Sequence, residues 1–384
     1  MRCITLFTLV VALGCGIGCS NNSPSDVDAG DAGGNDSGSP MVDANVDAYR
    51  APIYVPHDAG YGDAGAASAF TGASETWQAV TVDDARCGNG SPMVIAVNIT
   101  TASPDVVIYF QGGGACWDAA TCFTLGTATH IADTLTPTVV VQEAMGGTSF
   151  LFERNAQNPY QHASYVYIPY CTGDAHAGNN VASFDVGGTP RQVHFEGAHN
   201  TELILEHARA TWPSTTHVTL IGASGGAYGV IANWWRAQQL FAGARVDALS
   251  DSGLPLDVPD ARWRVMLNAW GLDLPPDCAT CDSLGDAMPY YATTMPLPHR
   301  FGLMAYLHDT VIPTFYGLGS VSTGLMALQP QLNATTNQRY FYVNDMGHVV
   351  LGDPTQTAGT SGVTARQWVT QFATDDPAWA SVGP

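Results

Sequence analysis

The chain has 384 residues and a formal net charge of −21, with 13 basic residues set against 34 Asp and Glu. All the basic residues are arginine, which excludes Schiff-base chemistry, a P-loop lysine and a Ser–Lys dyad within this chain. The acidity argues against nucleic acid or an anionic membrane surface as a partner.

At the amino terminus, Arg2 precedes the apolar run Ile4–Leu13 and the small-residue sites Gly14-Cys15 and Gly18-Cys19. This order reads as an export signal over residues 1–19. The run is shorter than the roughly 20 residues needed to cross a bilayer. Gly16-Ile17-Gly18-Cys19 has the form of a relaxed lipobox, so Cys19 is the expected lipid-modified residue of a bacterial cell-envelope lipoprotein. Ordinary cleavage and free secretion is the alternative. Residues 20–67 consist mainly of Asp, Ala, Gly, Ser, Asn and Pro. Such a segment cannot bury enough apolar surface to offset its ordering entropy and is expected to be a disordered tether. Residues 68–384 are then one folded domain.

Short β-branched or aromatic runs follow, at Val106–Phe110, Thr138–Val141, Tyr165–Tyr170, Val218–Ile221, Arg245–Leu249, Leu303–Leu307 and Arg339–Val343. They predict buried strands. Helical spacing marks Glu202–Thr211, Tyr228–Leu240 and Asp260–Trp270. The alternation predicts an α/β domain with a mainly parallel sheet, helices on both faces and functional residues at strand carboxyl ends. Six cysteines fall in this part: Cys87, Cys116, Cys122, Cys171, Cys278 and Cys281. An even number in an exported chain predicts disulfides. Cys278 and Cys281 form a CxxC without a second one to complete a zinc site, which favours a local bridge.

The most informative segment is Gly222-Ala223-Ser224-Gly225-Gly226, a G-x-S-x-G between a predicted strand and a predicted helix. That context is a nucleophile elbow, in which flanking glycines permit a turn tight enough to lift the serine hydroxyl above the sheet. A serine hydroxyl needs an imidazole to take its proton and a carboxylate to orient that imidazole. Asp309 and His348 follow the last two predicted strands, so the chain order is Ser, Asp, His, as in α/β-hydrolases. Asp251, Asp257, Asp345 and Asp353 compete for the acid, and His176, His194, His199 and His308 for the base. Gln111-Gly112-Gly113-Gly114-Ala115 follows the strand at Val106–Phe110 and resembles an oxyanion loop, to which the amide of Gly225 would add.

Several blocks together resemble the pectin acetylesterase and Notum family of extracellular serine carboxylesterases. They are Arg86–Pro92 with its Cys-Gly-Asn-Gly-Ser-Pro, Tyr109–Cys116 followed by Cys122, Ile168–Asp174, Gly222–Gly226, and Asp251-Ser252-Gly253 with Asp257. Gln111 stands where the family usually has Glu, Gly114-Ala115 replace a bulkier pair, and Ser224-Gly225-Gly226 replaces Ser-Ala-Gly-Gly. The ordered blocks run from Trp77 to His348. The resemblance implies an α/β-hydrolase fold, a Ser224–Asp309–His348 triad, and oxyanion donors from Gly113, Gly114 and Gly225. It also implies Cys116–Cys122 and Cys87–Cys171 bridges, and an acyl selectivity altered by the small residue at 114.

The expected activity is hydrolysis of an acyl ester, acetyl foremost, on a carbohydrate or related substrate, with no metal or organic cofactor. Three other readings compete. Trp234, Trp235, Trp263, Trp270, Tyr290 and Tyr291 would line the long apolar pocket of a lipase-like deacylase or polyester depolymerase. A surface-tethered glycan-binding protein would retain the scaffold without the chemistry. A metallohydrolase would draw on Asp174, His176, His194 or His199.

Overall fold

The computed structural model describes residues 67–146, 150–256 and 260–384. The expected signal segment, Cys19 and the expected tether up to residue 66 lie outside the described residues, as does Asp257. Eight strands make the central sheet: β1 (Gln78–Arg86), β2 (Pro92–Asn98), β3 (Val106–Phe110), β4 (Ser164–Ile168), β7 (His217–Ala223), β8 (Arg245–Asp251), β9 (Phe301–Asp309) and β10 (Gln338–Gly347). Their order is β1-β2-β4-β3-β7-β8-β9-β10. β2 runs antiparallel to both its neighbours, and from β4 to β10 every pair is parallel.

The parallel strands are mainly apolar, β3 without a break, because both faces are covered. Val106, Ile108 and Phe110 join a larger core with Leu220 and with Val230, Ile231 and Trp234 of α3 (Gly225–Leu240), which packs beside α2 (Gly197–Thr211). Val107 faces the other side, with Ile221, Leu249, Phe341 and Trp368, the last on α8 (Ala365–Ala373). Helices α1 (Pro137–Gly146), α4 (Asp260–Trp270), α5 (Ala287–Thr294), α6 (Ile312–Tyr316) and α7 (Ser322–Asn333) complete the layers. Among the described residues no helix is long and apolar enough to cross a membrane.

One expected strand is a helix. Thr138–Val141 lies in α1, although three consecutive valines favour extended structure. Thr136 accepts the Val139 amide at its side chain, 3.3 Å away, and the Val140 amide donates to the Thr136 carbonyl at 3.1 Å. Pro137 opens the helix where its missing N–H costs nothing. Val140 and Ala144 then bury one stripe while Val139 and Met145 face solvent. Helical burial at i and i+4 outweighs local propensity here.

β1, β2 and a separate hairpin of β5 (Asn180–Val186) and β6 (Thr189–Phe195) lie outside the predicted strands. Gly187-Gly188, both at positive φ, turn that hairpin, and the Gly-Gly pair was a signal that could have found it.

Three disulfides tie loops to the sheet: Cys87–Cys171, Cys116–Cys122 and Cys278–Cys281. The first joins the end of β1 to the loop after β4, and the second closes the loop that follows the Gly112–Gly114 run.

Candidate active site

Between β7 and α3 the chain turns in a single residue. Ser224 sits at φ 54° and ψ −123°, a region that side-chain-bearing residues rarely adopt. The turn closes because its flanks are glycine. A Cβ on Gly222 would stand 2.3 Å from the Gly226 carbonyl oxygen, and one on Gly226 would stand 2.1 Å from that of Phe110. The Ser224 amide donates to the Asp251 carbonyl at 2.8 Å, which fixes the turn to β8.

The sheet order then assembles the partners. Asp309 is the last residue of β9, and His348 follows β10, its neighbour. His348 Nδ1 lies 2.8 Å from Asp309 Oδ2, and His348 Nε2 lies 2.8 Å from Ser224 Oγ. The Asp309 carboxylate has no solvent exposure, and its other oxygen accepts the amides of Val311 and Ile312, each at 2.8 Å. With the carboxylate accepting from Nδ1–H, Nε2 carries the lone pair and the serine hydroxyl donates to it.

The competing acids are engaged elsewhere. Asp251 serves the amides of Val350 and Leu351, Asp353 binds Thr355 and Gln356, and Asp345 is exposed. Of the competing histidines, His176 reaches the Gln111 carbonyl, His194 pairs with Glu196, and His308 is exposed.

The loop Gln111–Ala115 lies against the elbow. A Cβ on Gly112 would stand 2.3 Å from the Ala223 carbonyl oxygen, and one on Gly225 would stand 3.6 Å from the Gly113 nitrogen. Thr129 donates to the Gly113 carbonyl at 2.8 Å, and Ala115 donates to that of Thr127 at 3.1 Å. Among the described residues none accepts from the amides of Gly113, Gly114 or Gly225. Three donors therefore gather beside Ser224 without a protein acceptor, which is what a developing oxyanion requires.

Two long-range contacts at Gln111 hold this loop in place. Gln111 accepts the Tyr170 amide at 2.9 Å, and the wholly buried His176 donates from Nε2 to the Gln111 carbonyl at 2.9 Å. Burial lowers the His176 pKa to about 4, so the ring is neutral at neutral pH and acts as a donor. The contact spans 65 residues of sequence, beyond the reach of any local motif.

Asp174, pushed up to about 6 by burial, accepts from Thr172 Oγ1, His176 N and Gly197 N at 2.5, 3.1 and 2.7 Å. Asp174, His176, His194 and His199 are thus not brought together as a ligand set. Among the described residues no three His, Cys, Asp or Glu side chains are grouped to hold a metal ion.

The neutral His176 has a consequence for stability. The unfolded chain protonates this ring near its ordinary 6.5, the folded chain only near 4. The unfolded state takes up more protons in that window, so this contribution is present above pH 6.5 and is lost as pH falls toward 4. The Tm difference between the wild type and His176→Gln is expected to shrink between pH 7.5 and pH 5. A constant difference would mean that the ring titrates in the fold as it does in the unfolded chain.

A cleft of about 470 Å³, its open mouth included, leads from Ser224 between α4 and α6. Trp263, Met266 and Trp270 of α4 form one wall, and Ile312, Phe315 and Tyr316 of α6 form the other. Of the aromatic residues expected in a pocket, only Trp263 and Trp270 line it. Trp234 and Tyr291 pack on each other in the core, ring centroids 4.9 Å apart.

No curated protein matches this sequence. Two crystal forms of Notum from Drosophila, described as a Wnt deacylase, are similar in structure. One superposes with a TM-score of 0.62 at 17% identity, the other with 0.59 at 16%, and in both the match covers 80% of this chain and 96% of that one. At such identity the likeness speaks for the α/β-hydrolase fold. The pectinacetylesterase family model matches residues 71–270, a span that includes the glycine loop and the Ser224 elbow and stops short of Asp309 and His348. With more than half its length matched in this way, the chain belongs to the pectinacetylesterase family.

Proposed function

We propose that this ester hydrolase is an exported serine carboxylesterase that works through an acyl-enzyme, with Ser224 as nucleophile, His348 as base and Asp309 as its orienting acid. The observation that carries the reading is the unbroken pair of 2.8 Å contacts from Asp309 through His348 to Ser224. Ser224 Oγ attacks the ester carbonyl as its proton passes to His348 Nε2. The amides of Gly113, Gly114 and Gly225 receive the oxyanion. His348 then protonates the departing alcohol, and a water activated by the same nitrogen releases the acid. Asp309 keeps its charge throughout and stabilises the imidazolium.

An acetyl ester of a carbohydrate is the substrate class that the family favours. A longer acyl group is a second reading, favoured by the apolar walls of Trp263, Met266 and Phe315. Three disulfides among the described residues suit an oxidising compartment and support export. Lipidation of Cys19 remains part of the proposal through sequence alone.

The test is labelling of the full chain with a fluorophosphonate, followed by rates on p-nitrophenyl esters from acetyl to dodecanoyl. One adduct on Ser224 with rates falling beyond butyryl supports the acetylesterase. Rates rising with chain length favour the deacylase. A folded protein with no adduct overturns the hydrolase mechanism and favours a glycan-binding role.

A further inference from the structure

The loop that carries His348 is held by a carboxylate outside the triad. Asp251 ends β8 with its side chain wholly buried. Its Oδ1 accepts the Val350 amide at 2.9 Å and its Oδ2 accepts the Leu351 amide at 2.7 Å. The next residue, Ser252, accepts the Val349 amide at Oγ, 3.0 Å away, and its hydroxyl donates to Asp251 Oδ1 at 3.2 Å. Three successive amides immediately after His348 are thus gripped by two adjacent side chains. The carbonyl of the same Asp251 accepts the Ser224 amide at 2.8 Å. One residue therefore touches both the nucleophile turn and the base loop, which stand 124 residues apart in sequence.

The local backbone would not hold this shape unaided. Val349 lies at φ 64° and Ser252 at φ 66°, and for a β-branched residue such a value is a genuine outlier. Strain of this kind persists only where the surroundings over-determine it. Burying a carboxylate is also costly, and burial raises the Asp251 pKa to about 6. A carboxylate accepting two amides is a partner that relaxed backbone alone does not supply.

We propose that Asp251 and Ser252 are positioning residues of the reaction, which set the reach of His348 toward Ser224 by clamping the amides of Val349, Val350 and Leu351. The proposal rests on the reading of His348 as the base. Neither side chain touches substrate, so their loss acts on kcat through the imidazole and leaves KM nearly unchanged.

The test compares Asp251→Asn, Ser252→Ala and Ser252→Gly in the full chain. An Asn side chain must set its NH2 against one of the two amides, which pushes the loop away. Glycine at 252 relieves the positive φ while removing the acceptor, so an activity loss there does not come from instability. For Asp251→Asn we expect kcat per folded molecule to fall about 10²-fold, the scale of an ångström-sized misplacement, with KM within about twofold. Both Ser252 variants are expected to lose about 3–10-fold, the range of one hydrogen bond. The low-field proton resonance of the His348 Nδ1–H bonded to Asp309 is expected to broaden or shift in all three.

Unchanged kcat and an unchanged resonance, with only a lowered Tm, would overturn the proposal and leave the pair as an ordinary loop anchor. If Asp251→Asn does not fold, the two Ser252 variants decide by the same criteria. A wild type without esterase activity or Ser224 adduct refutes the hydrolase reading instead, and the resonance still reports whether the clamp positions the ring.

Discussion

Ser224→Ala and His348→Ala are each expected to lower kcat by about 10⁵–10⁶, and the double variant to be no slower than either alone. In the proposed mechanism the two side chains act on one proton, so removing either abolishes the same step. Residual turnover then comes from oxyanion stabilisation and substrate binding alone. Neither change should disturb folding. Alanine keeps the Cβ that Ser224 already carries at positive φ, and His348 is partly exposed.

Asp309→Asn is expected to cost about 10⁴, for a reason visible in its contacts. The amides of Val311 and Ile312 demand an acceptor, so the asparagine oxygen must face them. Its NH2 then faces His348 Nδ1 and imposes the wrong tautomer, with Nε2 protonated against the serine. Steady-state kinetics on an activated ester, normalised to folded protein, checks the three single variants and the double variant. Additive losses in the double variant would show that Ser224 and His348 do not work as a unit.

Gly114→Ala is the second large effect, with an expected loss of about 10²–10³ in kcat, the scale of one oxyanion donor. Gly114 sits at φ +79°, and a Cβ there would stand 2.0 Å from the Thr127 carbonyl oxygen and 3.3 Å from Phe315 Cζ. Main-chain atoms cannot swing aside as a flexible side chain can. The bond from Ala115 to Thr127 and that from Thr129 to Gly113 must both give, and the amides of Gly113 and Gly114 move with them.

Gly126→Ala is the control. That glycine has φ +60° with nothing within 4 Å of the added atom, so it bears similar backbone strain without the collision. Near-normal kcat for Gly126→Ala beside a collapsed kcat for Gly114→Ala would assign the loss to the donors. Equal effects would assign it to strain. The added methyl also approaches Phe315, so the surviving activity of Gly114→Ala is expected to shift toward shorter acyl esters.

Both effects trace to features of very different sequence range. The elbow was legible because it is local: five residues, a strand before them and a helix after them. The steric demand for glycine at 222 and 226 acts within that turn and against its nearest strand. The parallel strands were legible because burial on both faces leaves β-branched and apolar runs such as Val106–Phe110 and Val218–Ile221 without a charged residue. The glycine loop could be placed because it follows such a strand directly.

Other features depended on partners that the local pattern does not contain. Thr138–Val141 has strand propensity, yet a capping Thr136, an opening proline and a buried stripe at Val140 and Ala144 make it helical. Asp309 and His348 are 39 residues apart, and His348 and Ser224 are 124 apart. Asp251 is also an aspartate at a strand end, and the residue types alone leave the two carboxylates interchangeable. The register of β9 beside β10 brings Asp309 to His348, while β8 gives Asp251 the amides behind it. Sequence by itself determined the Ser224 turn and the parallel α/β layers, because their causes are steric and periodic over a few residues. Tertiary structure alone decided which carboxylate meets His348 and what holds the glycine loop, because hydrogen bonding depends on distances that only strand order and register create.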